Sequence, residues 1–332
     1  MDRFLHPASD LPHEGRIPPF DGAIAWLNSA PLTPSDLRGK VVAVNFCTYT
    51  CINWLRTLPY VRAWAERYAA DGLVTIGVHT PEFSFEHDLG NVERALKQMQ
   101  VVYPVMLDNH YAVWEAFSNH YWPALYLIDA DGHIRHHRFG EGDYERSEMV
   151  IQRLLAEANG RDPALGLVSV DPDGPEAPAD WDHLRSPETY LGYRQATNFA
   201  SRTDIAPDLP TTYDVPTALA LNEWALSGEW TVGGDAAVVN APSGRVAFRF
   251  HARDVHLVMA PGTADVPARF RVFIEGRPPG SDGGGDVGNE GSGSLDEPRM
   301  YQLIRQPGAI DDRLFEIEFL DRGAEAFAFT FG

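Results

Sequence analysis

Cys47 and Cys51 are the only cysteines among 332 residues, and they share the segment Asn45-Phe46-Cys47-Thr48-Tyr49-Thr50-Cys51-Ile52-Asn53-Trp54. A hydrophobic strand pattern runs into a helical pattern here, which sets Cys51 at a helix start. Unpaired backbone N–H groups and the positive end of the helix dipole stabilise a thiolate at such a position, so the spacing predicts a depressed pKa and a nucleophilic thiol. Packing cysteines are usually scattered. Two thiols in one loop at a strand-to-helix junction, where α/β folds put their sites, point to chemistry instead.

Three reactions suit this pair. In the first, the Cys51 thiolate attacks a substrate disulfide and Cys47 resolves the mixed disulfide, which needs Cα atoms within about 7 Å of each other. In the second, Cys51 acts alone, glutathione or another thiol resolves the intermediate, Trp54 covers the thiol and Cys47 fills space. In the third, peroxide oxidises Cys51 to a sulfenic acid with which Cys47 condenses, and Thr48 and Arg56 flank the reacting sulfur.

The elements that must hold these residues follow from periodicity. Pro31 to Lys40 supplies turn chemistry, and Val41 to Phe46 suits a buried strand. Ile52 to Ala70 has helical spacing through Leu55, Leu58, Val61, Trp64, Ala65 and Tyr68, with Pro59 expected to kink it. Asp71-Gly72 ends that helix, and Leu73 to His79 makes a second buried strand, completing a βαβ unit. Helices are expected over Asn91 to Val101 and Ala112 to Asn119, around a short strand Val105-Met106-Leu107. Leu125 to Asp129 and His133 to Arg138 read as a hairpin turned at Ala130-Asp131-Gly132, and Tyr144 to Ala158 as a closing helix. That order describes an α/β sandwich with a mixed sheet.

From Gly160 to about Pro187 periodicity gives way to Pro, Gly, Asp and Ala, the mark of a linker or wrapped connection. Beyond it, short alternating runs (Arg245 to Phe250, Val255 to Met259, Ala268 to Ile274, Arg299 to Ile304, Leu314 to Phe319, Ala326 to Phe331) predict an antiparallel β-sandwich. Gly280 to Ser294 reads as a flexible surface loop.

A formal net charge of −20 argues against a nucleic-acid or anionic-membrane partner. Met1 to Pro7 lacks the charged-then-apolar pattern of a secretory signal, and no apolar run approaches the ~18 residues of a membrane span. The chain as given is therefore expected in the cytoplasm, where two close cysteines read as catalytic or redox-sensing. Basic residues are nearly all arginine, Lys40 and Lys97 being the lysines, a bias of GC-rich, bacterial genomes.

Outside the cysteine segment, His133, His136 and His137 read as a solvated polar strand rather than a metal site. His79, Glu82, Glu86 and His87 read as loop polarity first and a substrate rim second. Trp224, Trp230, Tyr190 and Tyr193 could stack on a carbohydrate, although such residues more often fill a core. No cofactor or metal is expected.

Residues 20–159 resemble a thioredoxin-fold protein of the redoxin (TlpA-like) kind. The resemblance rests on Val-Val-Ala-Val-Asn-Phe, on Cys51 with Pro59 beyond it, and on Trp122-Pro123 before the strand Ala124 to Asp129. It implies that Pro123 is cis and faces the nucleophile. The strings from Gly22 to Asn28, Cys51 to Tyr60 and His79 to Phe83 are similar to the soluble C-terminal part of DipZ-type proteins. So are Ser186 to Tyr193 and Phe327 to Gly332, which implies a jelly-roll second domain like a carbohydrate-binding module. The chain departs from the family at its centre: Trp54 stands where thioredoxins have the resolving cysteine, Cys47 where they usually have tryptophan, and Asn45 where they carry a buried acid. Thr48 matches the threonine that peroxiredoxins place before their cysteine, while Val44 replaces their proline.

The expected organisation is an N-terminal extension over 1–19, an α/β thioredoxin-like domain over 20–159, a linker over 160–186, and an all-β jelly-roll sandwich over 187–332. The expected activity is thiol–disulfide oxidoreduction or thiol-dependent peroxide reduction, with a decayed, binding-only site as the alternative. Cys51 is the nucleophile and Cys47 the candidate resolver. Thr48, Thr50, Trp54, Arg56, Trp122 and Pro123 would line the substrate groove. Partners would be a protein or small-molecule disulfide, or a peroxide, with a thiol reductant.

Overall fold

A computed structural model describes residues 11–161, 166–263 and 266–332. The start of the expected N-terminal extension and part of the expected linker thus lie outside the described residues. Two compact units divide the chain: one runs to Pro172 without Phe83–Phe85, and the other joins Phe83–Phe85 to Asp173–Gly332.

The first unit is built in chain order from β1 (Gly15–Arg16), β2 (Ala25–Leu27), β3 (Val41–Cys47), α1 (Ile52–Tyr68), β4 (Leu73–His79), α2 (Leu89–Gln98), β5 (Val105–Leu107), α3 (Ala112–Ala116), β6 (Ala124–Ile128), β7 (His133–Phe139) and α4 (Tyr144–Asn159). The sheet order is β1-β7-β6-β3-β4-β5-β2, with β3, β4 and β5 parallel and β6 antiparallel to β3. This is the thioredoxin-like α/β arrangement. β3 lies between β4 and β6 and is buried along its whole length, which is why it reads as an unbroken apolar run rather than an alternating one.

Helix α1 continues past Pro59 to Tyr68 and buries Leu55, Leu58, Val61, Trp64 and Tyr68. Glu148 of α4 ties that face down, accepting from Tyr68 Oη at 2.6 Å and Trp64 Nε1 at 3.1 Å. A short 3₁₀ turn at Ala69–Asp71 ends the helix at Gly72, whose φ of 99° needs glycine. Two helices differ from their periodicity for local reasons. α2 starts earlier because Asp88 caps it, accepting from Asn91 N at 2.9 Å. α3 ends sooner because Ser118 takes a positive φ of 52°.

The second unit is all β: β8 (Thr189–Tyr190), β9 (Thr211–Tyr213), β10 (Trp224–Val232), β11 (Ala237–Val239), β12 (Gly244–Phe250), β13 (Asp254–Ala260), β14 (Ala268–Ile274), β15 (Ser292–Leu295), β16 (Arg299–Arg305), β17 (Arg313–Phe319) and β18 (Glu325–Phe331). They form a large curled antiparallel sheet, ordered β15-β14-β17-β12-β10-β11-β18-β13-β16, with β8 on β18 and β9 on β10. Inward side chains such as Phe248, Leu257, Phe270, Tyr301 and Phe329 share one core. Trp224 and Trp230 belong to that core, their indole N–H groups donating to Thr197 O and Ser227 O, so they are no platform for a sugar.

The expected flexible loop over Gly280 to Ser294 is instead tied down. Asp286 accepts from Gln302 N at 2.8 Å and pairs with Arg299 at 2.6 Å, and β15 joins the sheet along β14. Among the described residues no helix is long and apolar enough to cross a membrane.

Candidate active site

The site is assembled where β3 hands over to α1. Cys47 is the last residue of β3 and Cys51 the N-cap of α1, joined by a turn in which Cys51 N donates to Thr48 O at 3.2 Å. Cys51 has extended backbone angles and makes no side-chain cap bond to the helix, so its thiol stands at the positive end of the helix. Its Sγ donates to Trp122 O at 3.9 Å, and the Trp122-Pro123 peptide is cis. Trp122 is itself fixed, its indole N–H donating to Thr80 O and its ring packing on Trp114 at 4.4 Å.

The two thiols are physically unlike. Cys51 is partly exposed, whereas Cys47 retains 1% of its surface and its Sγ donates to Val78 O at 3.5 Å. Burial, with the Glu86 carboxylate adding to it, pushes the Cys47 thiol far above its ordinary range.

Behind the turn, Trp54 is buried and donates its indole N–H to Asn45 Oδ1 at 2.8 Å, while Asn45 Nδ2 donates to Ala124 O at 3.2 Å. Asn45 therefore bonds the sheet and the helix together as a neutral group.

Residues 17–137 match the AhpC/TSA family, and residues 186–332 match the thioredoxin-like C-terminal domain family. Over 275 residues the chain is 36% identical to protein DipZ of Mycobacterium bovis, a match that spans 82% of this chain and 38% of DipZ. Over these residues the chain is similar to the thioredoxin-like redoxins, and it spans well under half the length of DipZ. It is also 28% identical over 141 residues to the thiol-disulfide oxidoreductase YkuV of Bacillus subtilis, covering 42% of this chain and 95% of YkuV. Among solved structures, a thioredoxin-like protein in the oxidized form aligns with 29% identity and a TM-score of 0.40, covering 43% of this chain and 95% of its own.

Within this redoxin-like domain the groove residues expected from sequence separate into two groups. Cys51 and Trp122 are partly exposed, and Pro123, which precedes β6, is buried. Thr48, Thr50, Trp54 and Arg56 are all buried, so they back the site rather than line an open groove. The Thr48 hydroxyl has no hydrogen-bond partner. Arg56 points its Nη1 at Glu141, 3.0 Å away, and burial raises the Glu141 pKa although the guanidinium pulls it down.

The β4–α2 connection also departs from expectation. His79 and Glu86 are fully buried rather than polar rim. His79 stacks on Tyr49 with ring centroids 5.7 Å apart, both its ring nitrogens lack hydrogen-bond partners, and desolvation lowers its pKa to about 3. Glu86 accepts from the Thr50 hydroxyl at 2.6 Å and from Glu82 N at 2.6 Å. No residue type or spacing around Glu86 marks this acid as buried. Among the described residues no cluster of His, Cys, Asp and Glu could hold a metal.

Proposed function

We propose that the chain is a thiol–disulfide oxidoreductase in which Cys51 is the nucleophile and an external thiol completes the cycle. The observation that carries this reading is the partly exposed Cys51 thiol at the N-terminus of α1, donating to the carbonyl of Trp122 beside cis-Pro123. In the first half-reaction the Cys51 thiolate attacks one sulfur of a substrate disulfide. A Cys51–S–S–R bond forms, the substrate S–S bond breaks, and the second substrate sulfur leaves as a thiolate. In the second, a thiolate of glutathione type attacks the R sulfur of the mixed disulfide, and Cys51 leaves as a thiolate. Overall the substrate disulfide exchanges one partner for the external thiol, and a further thiol reduces that product.

Cys47 is the less suitable resolver because it is buried, bonded to Val78 O and held protonated. A Cys-x-x-x-Cys cycle needs the end of β3 to open before the Cys47 thiol can ionise and reach Cys51. Peroxide reduction is favoured by the AhpC/TSA match but opposed by Arg56, whose guanidinium is engaged by Glu141.

Turnover of insulin disulfides with glutathione, followed in Cys51→Ser and Cys47→Ser, tests the assignment. Cys51→Ser is expected to abolish activity, and Cys47→Ser to retain most of it. Undiminished turnover in Cys51→Ser overturns the proposal. Mass spectrometry after stoichiometric peroxide separates the other schemes, since a sulfenic acid at Cys51 or a Cys47–Cys51 disulfide marks each of them.

A further inference from the structure

Glu86 lies between the β4 and α2 elements, has no exposed surface, and is one hydrogen bond away from the residue that precedes Cys51. Its two oxygens are used separately: Oε1 accepts from Thr50 Oγ1 and Oε2 from Glu82 N. Two short bonds from donors favour the ionised carboxylate. Asn45 is neutral and spent on Trp54 and Ala124, so it contributes no acid beneath the site.

We propose that Glu86 is a positioning residue of the redoxin site: through the Thr50 hydroxyl it fixes the turn carrying Cys51 and keeps a negative charge there that offsets the helix N-terminus. The proposal rests on Cys51 being the reactive thiol. Its chemical purpose follows from thiol exchange. A thiol whose pKa is dropped far below ambient is ionised but a poor nucleophile, and the best attacking thiol titrates near ambient pH. A helix N-terminus favours the thiolate of a cysteine placed on it, and a carboxylate held at the same turn opposes that effect.

The other titratable groups packed around this region are Cys47 at the end of β3, His79 at the end of β4, Glu82 and His87 on the same connection, Asp108 after β5, and Tyr111 before α3. Desolvation keeps His79 neutral, and Cys47 and Tyr111 stay protonated because burial raises both. Glu82 carries charge of the same sign as Glu86, which makes Glu86→Gln, not a double change, the informative substitution.

The test is the pH dependence of Cys51 alkylation by iodoacetamide in the full chain, read by peptide mass spectrometry so that Cys47 does not contribute. Glu86→Gln is expected to move the midpoint down by about one pH unit. The limiting rate of the ionised thiol should fall about threefold, as a Brønsted slope of about 0.4–0.5 requires. Should Glu86→Gln not fold, the Thr50 pair takes its place. Thr50→Val strips a donor from the buried carboxylate, lets it protonate, and lowers the Cys51 midpoint in the same direction; Thr50→Ser restores the donor and the midpoint.

An unchanged midpoint in folded Glu86→Gln, or in Thr50→Val, overturns the proposal. Because alkylation needs no turnover, a chain inactive on disulfides that still shows the shift sinks the oxidoreductase reading while leaving Glu86 in its role.

Discussion

Trp54 Nε1 donates to Asn45 Oδ1 across 2.8 Å, joining a helix position where thioredoxins have a cysteine to a strand position where they have an acid. The two departures are therefore one structural unit. Trp54→Phe keeps most of the packing but leaves the buried Asn45 oxygen without its donor, which should cost about 1–3 kcal/mol in denaturant unfolding. Trp54→Cys should cost more, about 3–5 kcal/mol, through the cavity it opens. In return the new thiol should form a disulfide with Cys51 under mild oxidation, the oxidant taking two electrons and two protons, detectable as a loss of two hydrogen atoms by intact-mass measurement. Absence of that bond in a folded variant contradicts the placement of this position beside Cys51.

The unequal thiols should titrate unequally. A disulfide dye at neutral pH is expected to find one reactive thiol per native chain, at Cys51, and a second only after denaturation. Cys51→Ser should leave no fast-reacting thiol. Because burial raises Cys47 from its ordinary 9.0, this group stabilises the fold below that pH and the contribution is lost as pH rises above it. Cys47→Ala should accordingly flatten the alkaline loss of stability, measured as unfolding midpoints between neutral and strongly alkaline pH.

His79 acts at the acid end. Its folded pKa of about 3 lies below the ordinary 6.5, so the unfolded chain binds a proton that the folded one refuses. Stability is full above 6.5 and falls as pH drops toward 3, by about 1.4 kcal/mol per pH unit for one proton. His79→Gln, which does not titrate, should remove that slope from the unfolding free energy. An identical slope in wild type and variant would show that other groups set the acid limb.

Arg56 and Glu141 form a buried ion pair, with 3% and 11% of their side chains exposed. Removing one partner strands the other charge, so Glu141→Ala should destabilise by about 3–5 kcal/mol. Arg56→Met with Glu141→Leu should recover much of that loss, because an apolar pair of similar volume needs no compensation. Chemical denaturation of the four proteins as a double-mutant cycle measures the coupling directly.

Most of the frame around the site was legible in the residues. The strand Leu73–His79 and the strand Val105–Leu107 have the bounds that their apolar runs indicate, and α1 starts right after Cys51. Six of the second unit's strands fall on its alternating runs, as Ala268–Ile274 shows, whereas strands such as β10 and β15 were not marked by them. Asp286 was hidden in a glycine-rich stretch whose composition signals mobility, although Arg299 and Gln302, distant in sequence, hold it. Trp224 and Trp230 carry no mark in their type or spacing that tells a core indole from a surface platform.

By itself the sequence determined where a thiol meets a helix N-terminus, because strand and helix patterns and the N-cap act over a few neighbouring residues. Tertiary structure alone decided what surrounds that thiol. Glu86 reaches Thr50 from 36 positions away and Glu141 reaches Arg56 from 85 positions away, partnerships fixed by the course of distant loops. Burial also separated the two cysteines: the end of β3 is covered on both faces while the N-cap of α1 stays partly open, so one thiol is held protonated and the other can ionise.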